Sequence, residues 1–247
     1  MRQLPLRKEA IMNKNSNSYT LIYASVMVIL VAIALSLTNG LLKEQQAKNG
    51  DLDKMSQILR SVKIMTGLKD AEVAYNKVIK DVYAIDSKGD VKISDDRQAF
   101  LVNVSKEVKK PMEERLLPVY EAMIDGQKKY ILPVYGLGLW GPIWGYVAFN
   151  EDRKTIFAAS FSHQGETPGL GAEIATTVFQ KQFENKEVLK NKVFTSIAVL
   201  KTGQTAKGRD AVDGISGGTI TSKGLEAMLE NSLKAYQTFF NDKQTKP

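Results

Sequence analysis

The sequence predicts an α+β protein in which a single N-terminal transmembrane helix precedes a domain with a twisted, mainly antiparallel sheet packed by helices. Three observations support this prediction. An apolar, charge-free segment of about 20 residues lies near the start of the chain, which matches the hydrocarbon thickness of a bilayer. Several short runs of β-branched and aromatic residues follow, each bounded by turn residues. Two further stretches repeat apolar residues at helical spacing.

The N-terminal part is predicted to be an uncleaved membrane anchor. Residues 1–18 form a basic tail and residues 19–38 form the apolar segment. Because positive charge is retained in the cytoplasm, we expect the tail to be cytoplasmic and the remainder to lie outside the bacterial inner membrane. A signal peptide is the alternative, but residues 35–42 match a small-residue cleavage site poorly. Met1 and Met12 are both candidate translation starts.

Residues 39–95 are predicted to be a stalk or helical connecting region. Asp51 or Asp53 is predicted to cap a short amphipathic helix at 52–64, which resembles a stalk or a helix docked on a partner. Residues 68–96 show no single helical or strand pattern, and residues 86–90 are typical of a turn.

Residues 96–247 are predicted to form the globular α+β domain. Predicted strands lie at 119–124, 130–135, 145–149, 155–162 and 194–200. Residues 151–154 are typical of a hairpin turn between two of these strands. One helix is predicted at about 171–183, and a C-terminal helix is predicted to begin with Thr221 or Ser222 as its N-cap.

Composition excludes several classes of site. The absence of cysteine excludes disulfides, cysteine-ligated iron–sulfur clusters and thiol chemistry within the chain. A single histidine, His163, makes a histidine-rich zinc site unexpected, and we predict no metal site and no catalytic residue. The net charge of +7 is dispersed among acidic residues, so we predict no nucleic-acid binding.

Two glycine-rich stretches fail as nucleotide-binding motifs. Residues 136–141 match G-x-G-x-x-G, but Pro142 and another strand follow where a helix would be required. Residues 203–208 lack the Lys and Ser/Thr of a P-loop. Neither stretch therefore predicts a dinucleotide or triphosphate site.

Three stretches have both a structural and a functional interpretation. The first is a loop whose large apolar side chains either stack on an aromatic ligand or fill the core; these are Leu139, Trp140 and Trp144. The second, at 163–171, is a Gly-Pro turn that leads into a helix. The third, at 213–222, is a glycine and hydroxyl turn before the C-terminal helix, whose N-terminus suits a phosphate beside Thr219.

Taken together and in order, these stretches resemble one family. The runs PVYGLGLWGPIWGYVAF, GETPGLG and DGISGGTITS, with the early helix DLDKMSQIL and the single anchor, resemble the NqrC subunits of the sodium-translocating NADH:quinone oxidoreductases. SGGT in the third run is similar to the Ser/Thr-Gly-Ala-Thr flavinylation motif of FMN-binding domains, with Gly218 in place of the usual alanine. The RnfG subunit of the Rnf complex shares the anchor, a similar ETPGLG run and the threonine motif, and is one alternative. A membrane-anchored binding or scaffold domain without a redox role is the other.

The resemblance implies covalent FMN, joined through its phosphate to Thr219 by a flavin transferase. The expected phosphate contacts are Ser216, Gly217 and Gly218, and the expected contacts to the ring and ribityl chain are Leu139, Trp140, Glu166, Thr167, Gly169 and Leu170. Asp213 is expected to serve recognition by the flavin transferase. The resemblance further implies an electron relay between redox centres of neighbouring subunits, in a membrane complex that oxidises NADH, reduces quinone and exports Na⁺.

Overall fold

The computed structural model of the protein describes residues 16–241. Most of the predicted cytoplasmic tail, including Met12, lies outside the described residues. The chain divides into two units, with the boundary between Gly50 and Asp51. The predicted α+β fold class, with an apolar N-terminal helix and a mainly antiparallel sheet, is confirmed.

The first helix, α1 (Asn17–Arg60), is continuous over 44 residues. Its N-terminal part contains the predicted segment 19–38 and is long and apolar enough to cross a membrane. The expectation that Asp51 or Asp53 would cap a new helix is wrong, because the polar residues before them favour helix and no turn interrupts it.

The second unit is built on a six-stranded antiparallel sheet in the order β2-β1-β3-β4-β5-β6. Its strands are β1 (Ile79–Ile85), β2 (Val91–Ile93), β3 (Leu117–Ile124), β4 (Gln127–Leu137), β5 (Pro142–Phe149) and β6 (Ile156–His163). The region 39–95, predicted to be a connecting region, therefore contributes strands β1 and β2 to this sheet. The predicted hairpin turn at 151–154 is confirmed, and Asp152 stabilises it by accepting hydrogen bonds from the N–H groups of Lys154 and Thr155.

Four of the five predicted strands correspond to β3–β6, but the fifth is broken. Ser196 adopts a left-handed conformation with φ 55°, which interrupts the apolar run at 194–200. Two short ladders result, with β7 (Leu189–Lys190) antiparallel to β8 (Val193–Phe194) and β9 (Ala198–Leu200) parallel to β10 (Ala211–Asp213).

Short helices connect these strands, and a longer one covers the sheet. They are α2 (Ala71–Val78), α3 (Asp96–Phe100), α4 (Val104–Glu107), α5 (Thr177–Lys181), α6 (Thr219–Lys234) and α7 (Gln237–Asn241), with 3-10 turns at Met112–Glu114 and Gly171–Ala175. The predicted helix at 171–183 is interrupted because Thr176 is extended, and its hydroxyl accepts from Phe179 N to cap a new helix. Val178, expected on the apolar face of that helix, is consequently 83% exposed.

Alternation along the strands gives the sheet two buried faces. Leu132 and Val134 of β4 face a core shared with α6 and α7, whereas Ile131 faces a second core. The C-terminal segment of α1 supplies Ile58 and Leu59 to this second core. Both faces of the central parts of β4 and β5 are therefore covered.

Lys54 lies at the margin of the second core in an unusual environment for a cation. Its ammonium donates to the carbonyl oxygen of Phe100 and lies 4.4 Å from the centroid of that residue's ring. Burial lowers the pKa of Lys54 to about 8, although Asp51 opposes the shift.

We predict that Lys54→Met removes a pH-dependent component of stability. Because the folded-state pKa of about 8 lies below the ordinary 10.5, the unfolded chain binds more protons between these pH values. The free energy of unfolding of the wild type should therefore rise by about 2–3 kcal/mol relative to the variant from pH 8 to 10.5. Urea titrations of the full chain in detergent, followed by tryptophan fluorescence, measure this difference. Parallel pH profiles of the two proteins would contradict it.

Candidate functional site

The candidate site forms where the three unusual stretches of the sequence meet at one end of the sheet. They are the β4–β5 turn at 138–141, the loop after β6 at 164–170 and the turn between β10 and α6 at 214–218. A Cβ atom on Gly138 would lie 2.5 Å from Glu166 Oε1, and one on Gly218 would lie 3.4 Å from Gly171 N. Segments distant in sequence are thus in direct contact.

Glu166 is the buried link between these loops. Its Oε1 accepts a hydrogen bond from the backbone N–H of Trp140 at 2.8 Å, and its Oε2 accepts one from the hydroxyl of Thr221 at 2.5 Å. Its own N–H donates to Nδ1 of His163 at 3.1 Å. Because Glu166 is only 4% exposed, losing either acceptor bond would leave a buried polar group unpaired, so these contacts hold the three loops in place.

Helix α6 approaches β4 closely because each of the two elements has a glycine at the point of contact, Gly136 in β4 and Gly224 in α6. A Cβ atom on Gly136 would lie 2.7 Å from Met228 Cβ, and one on Gly224 would lie 2.2 Å from the carbonyl oxygen of Leu137. Only glycine permits this distance. The close contact brings the first turn of α6 to the end of the β4–β5 hairpin.

Helix α6 begins at Thr219, three or four residues earlier than the predicted caps imply. Gly218 is the N-cap, and no side chain of the described residues caps the helix there. Thr221 and Ser222 are buried within the first turn, where Thr221 donates to the carboxylate described above and Ser222 Oγ accepts from Ile215 N at 3.0 Å. The expectation that either would be the N-cap is therefore wrong, because tertiary contacts engage both hydroxyls.

Thr219 itself is exposed at a helix N-terminus whose first N–H groups have no capping side chain among the described residues. Gly217, with φ 75°, turns the chain toward the helix, and a Cβ atom there would lie 2.6 Å from Leu170 Cδ2. The predicted residues Ser216, Gly217 and Gly218 therefore form the turn that leads directly to the Thr219 hydroxyl.

Large apolar side chains are exposed on the converging loops and the first turn of α6. They are 41–67% exposed, and we call them the apolar face: Leu137, Leu139, Trp140, Leu170 and Ile220. The predicted residues Thr167 and Gly169 are also exposed, and Gly169 has φ 74°. Core filling therefore does not explain Leu139 or Trp140.

Trp144, by contrast, lies on the α1 side of the sheet, where its indole N–H donates to Gln57 Oε1 at 2.7 Å.

A cleft of about 470 Å³ also opens at Thr219. Its lining, which we call the Thr219 cleft, comprises Val199, Leu200, Lys201, Thr202, Gln204, Gly214, Ile215, Ser216, Gly217, Thr219, Ser222 and Lys223. Sequence reasoning missed the residues that follow β9, because that stretch carries the glycines of an incomplete P-loop and no other motif. That stretch contributes Lys201 to the cleft, and α6 contributes Lys223.

Asp213 is exposed at the end of β10 and is held by a side chain that the sequence did not single out. Gln182 Oε1 accepts from Asp213 N at 2.9 Å, and Gln182 Nε2 donates to the carbonyl oxygen of Asp213 at 3.3 Å. This paired contact fixes the backbone that leads into the hydroxyl turn while leaving the Asp213 carboxylate at the surface.

Comparison with known proteins identifies one matching domain family and several similar sequences. Residues 138–234 match the FMN-binding domain family. The NqrC subunit of the Na(+)-translocating NADH-quinone reductase of Haemophilus ducreyi is 32% identical over 237 residues, which cover 90% of each chain. The corresponding subunit of Chlamydia trachomatis is 38% identical over 128 residues, 44% of this chain and 40% of that protein.

Solved structures show the same similarity. The crystal structure of this subunit from Parabacteroides distasonis superposes with a TM-score of 0.77 at 45% identity, covering 82% of this chain and 98% of that one. NqrC from Shewanella oneidensis, at 24% identity and a TM-score of 0.64, shares the fold and covers 78% of this chain and 97% of its own.

We predict that Gly171→Ala disrupts the junction of the three loops. The new Cβ atom would lie 2.2 Å from Glu166 Oε2 and 2.4 Å from Thr221 Oγ1. The carboxylate of Glu166 must therefore move, which weakens the hydrogen bonds that it accepts from Trp140 and Thr221. We expect a loss of about 1–3 kcal/mol in the free energy of unfolding and increased mobility of Trp140. Gly165→Ala is the matched control, because its Cβ atom meets nothing within 4 Å. Chemical denaturation and tryptophan anisotropy test this; equal effects of the two substitutions would refute it.

Proposed function

The chain belongs to the NqrC family of subunits of the Na(+)-translocating NADH-quinone reductase, and from this membership we propose that it is the FMN-carrying electron-relay subunit of that membrane complex. The relative that is 32% identical over 90% of both chains supports the family, and the FMN-binding domain match supports the cofactor. The relatives described above belong to this complex, which favours it over the Rnf alternative. An apolar helix of sufficient length supports membrane anchoring.

We propose that Thr219 carries the FMN through a phosphoester. The observation that supports this assignment is its exposed hydroxyl at the uncapped start of α6. The neighbouring hydroxyls of Thr221 and Ser222 are buried and already hydrogen-bonded within the protein. Ser216 is exposed but lies in the preceding turn rather than at the helix start.

The surroundings of Thr219 fit a phosphate and a ring system. The N–H groups of the first helical turn and the positive end of the helix dipole favour an anion. Ser216, Gly217 and Gly218 form the turn that precedes it, and Ser216 and Gly217 are exposed. We propose these residues as the phosphate contacts, in agreement with the similarity to flavinylation motifs.

The exposed residues of the loops fit an aromatic ring. Leu139, Trp140 and Leu170 present apolar surface that is otherwise unfavourable in water, and Thr167 and Gly169 add a hydroxyl and an open backbone beside it. We propose these five as contacts to the isoalloxazine and ribityl parts. Glu166, whose carboxylate is buried and engaged, holds the Trp140 and Thr221 segments in position for that contact.

Bound FMN supplies the acceptance and donation of electrons, and the residues of this chain hold and orient it. Hydrogen bonds and apolar surface around the ring set the relative stability of its redox states. Exposure of the site keeps the cofactor accessible to redox centres of neighbouring subunits. We further propose that the domain lies on the outer side of the membrane, since the basic tail precedes the apolar segment.

We predict that Thr219→Leu abolishes covalent FMN. When a flavin transferase is co-expressed, the wild type should gain the mass of FMN less one water and give a fluorescent band after denaturing electrophoresis. The variant should give neither, because no hydroxyl is available at that position. Thr219→Ser, which keeps a hydroxyl at that position, should retain the modification. Persistence of the added mass in Thr219→Leu would show that another residue carries the cofactor.

We predict an extracytoplasmic domain, and the absence of native cysteine allows a direct test. Lys88→Cys, on the exposed turn between β1 and β2, should react with a membrane-impermeant maleimide in intact spheroplasts. Asn13→Cys, in the basic tail, should react only after lysis. The opposite pattern of labelling would reverse the proposed orientation.

A further inference from the structure

A cavity of about 290 Å³ lies on the α1 side of the sheet. Its walls are the C-terminal segment of α1, the segment between α3 and α4, and strands β4 and β5. The cross-strand pair of Tyr135 and Trp144 lines it, together with Phe100 and Tyr146. Of the described residues, none lines both this cavity and the Thr219 cleft, and none of the apolar face lines it. We call it the Lys54 cavity.

Lys54 is the one cation in the lining of this cavity, as far as the described residues show. Its ammonium has three N–H donors, and the carbonyl oxygen of Phe100 accepts from one of them. Within residues 16–241 no carboxylate forms an ion pair with it, because Asp51, which also lines the cavity, is paired with Arg97 at 2.7 Å. Two donors of this half-buried cation therefore have no acceptor in the described part of the chain.

A buried hydroxyl in the same lining also has no partner. Tyr146 is only 7% exposed, and its hydroxyl forms no hydrogen bond with the residues that the structure describes. Burial raises the pKa of Tyr146 above its usual range, so the hydroxyl stays protonated and is available as a donor. Since buried polar groups normally have partners, Lys54 and Tyr146 together favour an acceptor that enters the cavity.

The charge and the rim of the cavity define the kind of acceptor. A single cation beside the carboxylate of Asp51 favours a group with one negative charge over a phosphate dianion, which Asp51 would repel. Leu101 is 54% exposed at the rim and offers apolar surface next to this charge. A charged centre with an apolar and aromatic surround suits an acidic side chain on a protein segment.

We propose that the Lys54 cavity receives an aspartate or glutamate side chain from a neighbouring subunit of the complex. The carboxylate accepts from the ammonium of Lys54, and residues that flank it in the partner pack on Leu101. A contact on this side of the sheet leaves Thr219 and the apolar face uncovered, so the domain is held while its cofactor stays accessible. The inference rests on membership of the complex and not on attachment of FMN to Thr219.

The test measures how assembly changes access to the rim. Because the native chain has no cysteine, Leu101→Cys gives this chain one reporter thiol and keeps an apolar side chain there. Its rate of reaction with a maleimide is compared between the purified complex and the full-length chain alone in detergent. Lys54→Met, Lys54→Arg and Lys106→Met are each added to this background. Lys106→Met is the matched control, since Lys106 is exposed on α4 and does not line the cavity.

We expect assembly to slow the reaction of Leu101→Cys by about tenfold or more, because the partner segment covers the rim. Lys54→Met should restore the rate of the isolated chain. Lys54→Arg, which keeps the positive charge, and Lys106→Met should leave the reaction slow. Tryptophan emission of the isolated variants confirms that each is folded.

A second measurement uses the unsubstituted chain and so does not depend on the folding of a variant. A carbodiimide joins an amine to a carboxylate in contact with it. Treatment of the complex should therefore link Lys54 to an aspartate or glutamate of another subunit, which mass spectrometry of the digested complex identifies. Lys54 linked only within its own chain, or not at all, would contradict the proposal.

Equal reaction rates of Leu101→Cys in the complex and in the isolated chain would overturn the proposal. Slow reaction that persists in Lys54→Met would also overturn it, because the rim would then be covered without the charge contact. If benzoate at millimolar concentration slows the reaction of the isolated chain and assembly does not, the cavity takes a free small carboxylate instead. Failure of the proposed function is distinguishable, since the chain would then not purify with the other subunits.

Discussion

The candidate site depends on one buried carboxylate shared between loops. Glu166 bonds to a backbone N–H of the β4–β5 turn and to a hydroxyl of α6, although all three segments lie far apart in sequence. The arrangement requires space on both sides of the carboxylate, which glycine provides at 138 and 171. Since a buried acceptor without a partner is costly, the three segments are held in one arrangement, and Trp140 and Thr219 are fixed relative to each other through it.

The hydroxyl groups at the start of α6 differ in their surroundings. Thr221 and Ser222 are buried and bonded to other segments, whereas Thr219 faces solvent at the helix start. The start of α6 is held in place by its contact with β4, where Gly136 and Gly224 allow the helix to lie directly against the strand. The close packing of α6 on β4 thus places the exposed Thr219 on regular secondary structure, which suits the role that we propose for it.

Two surfaces of the fold meet at Thr219. Apolar side chains that would be unfavourable in water are exposed on the converging loops. The cleft that reaches the same threonine is lined by β9 and the residues after it, by the turn at 214–218 and by the first turns of α6. The fold therefore places both surfaces beside the residue that we propose as the attachment point of the cofactor.

The sequence by itself determined the apolar helix, the strands β3–β6 and the three stretches that form the site, because these depend on local periodicity, turn residues and motifs. It also singled out Thr219, Asp213 and Glu166. Only the tertiary structure decided that Trp144 faces away from Thr219 and that Thr221 bonds to Glu166 instead of capping α6. Each of these depends on partners many residues away, and no local pattern encodes them. The same reason explains why Gln182 was not foreseen, since its contact with Asp213 comes from what the fold places beside it.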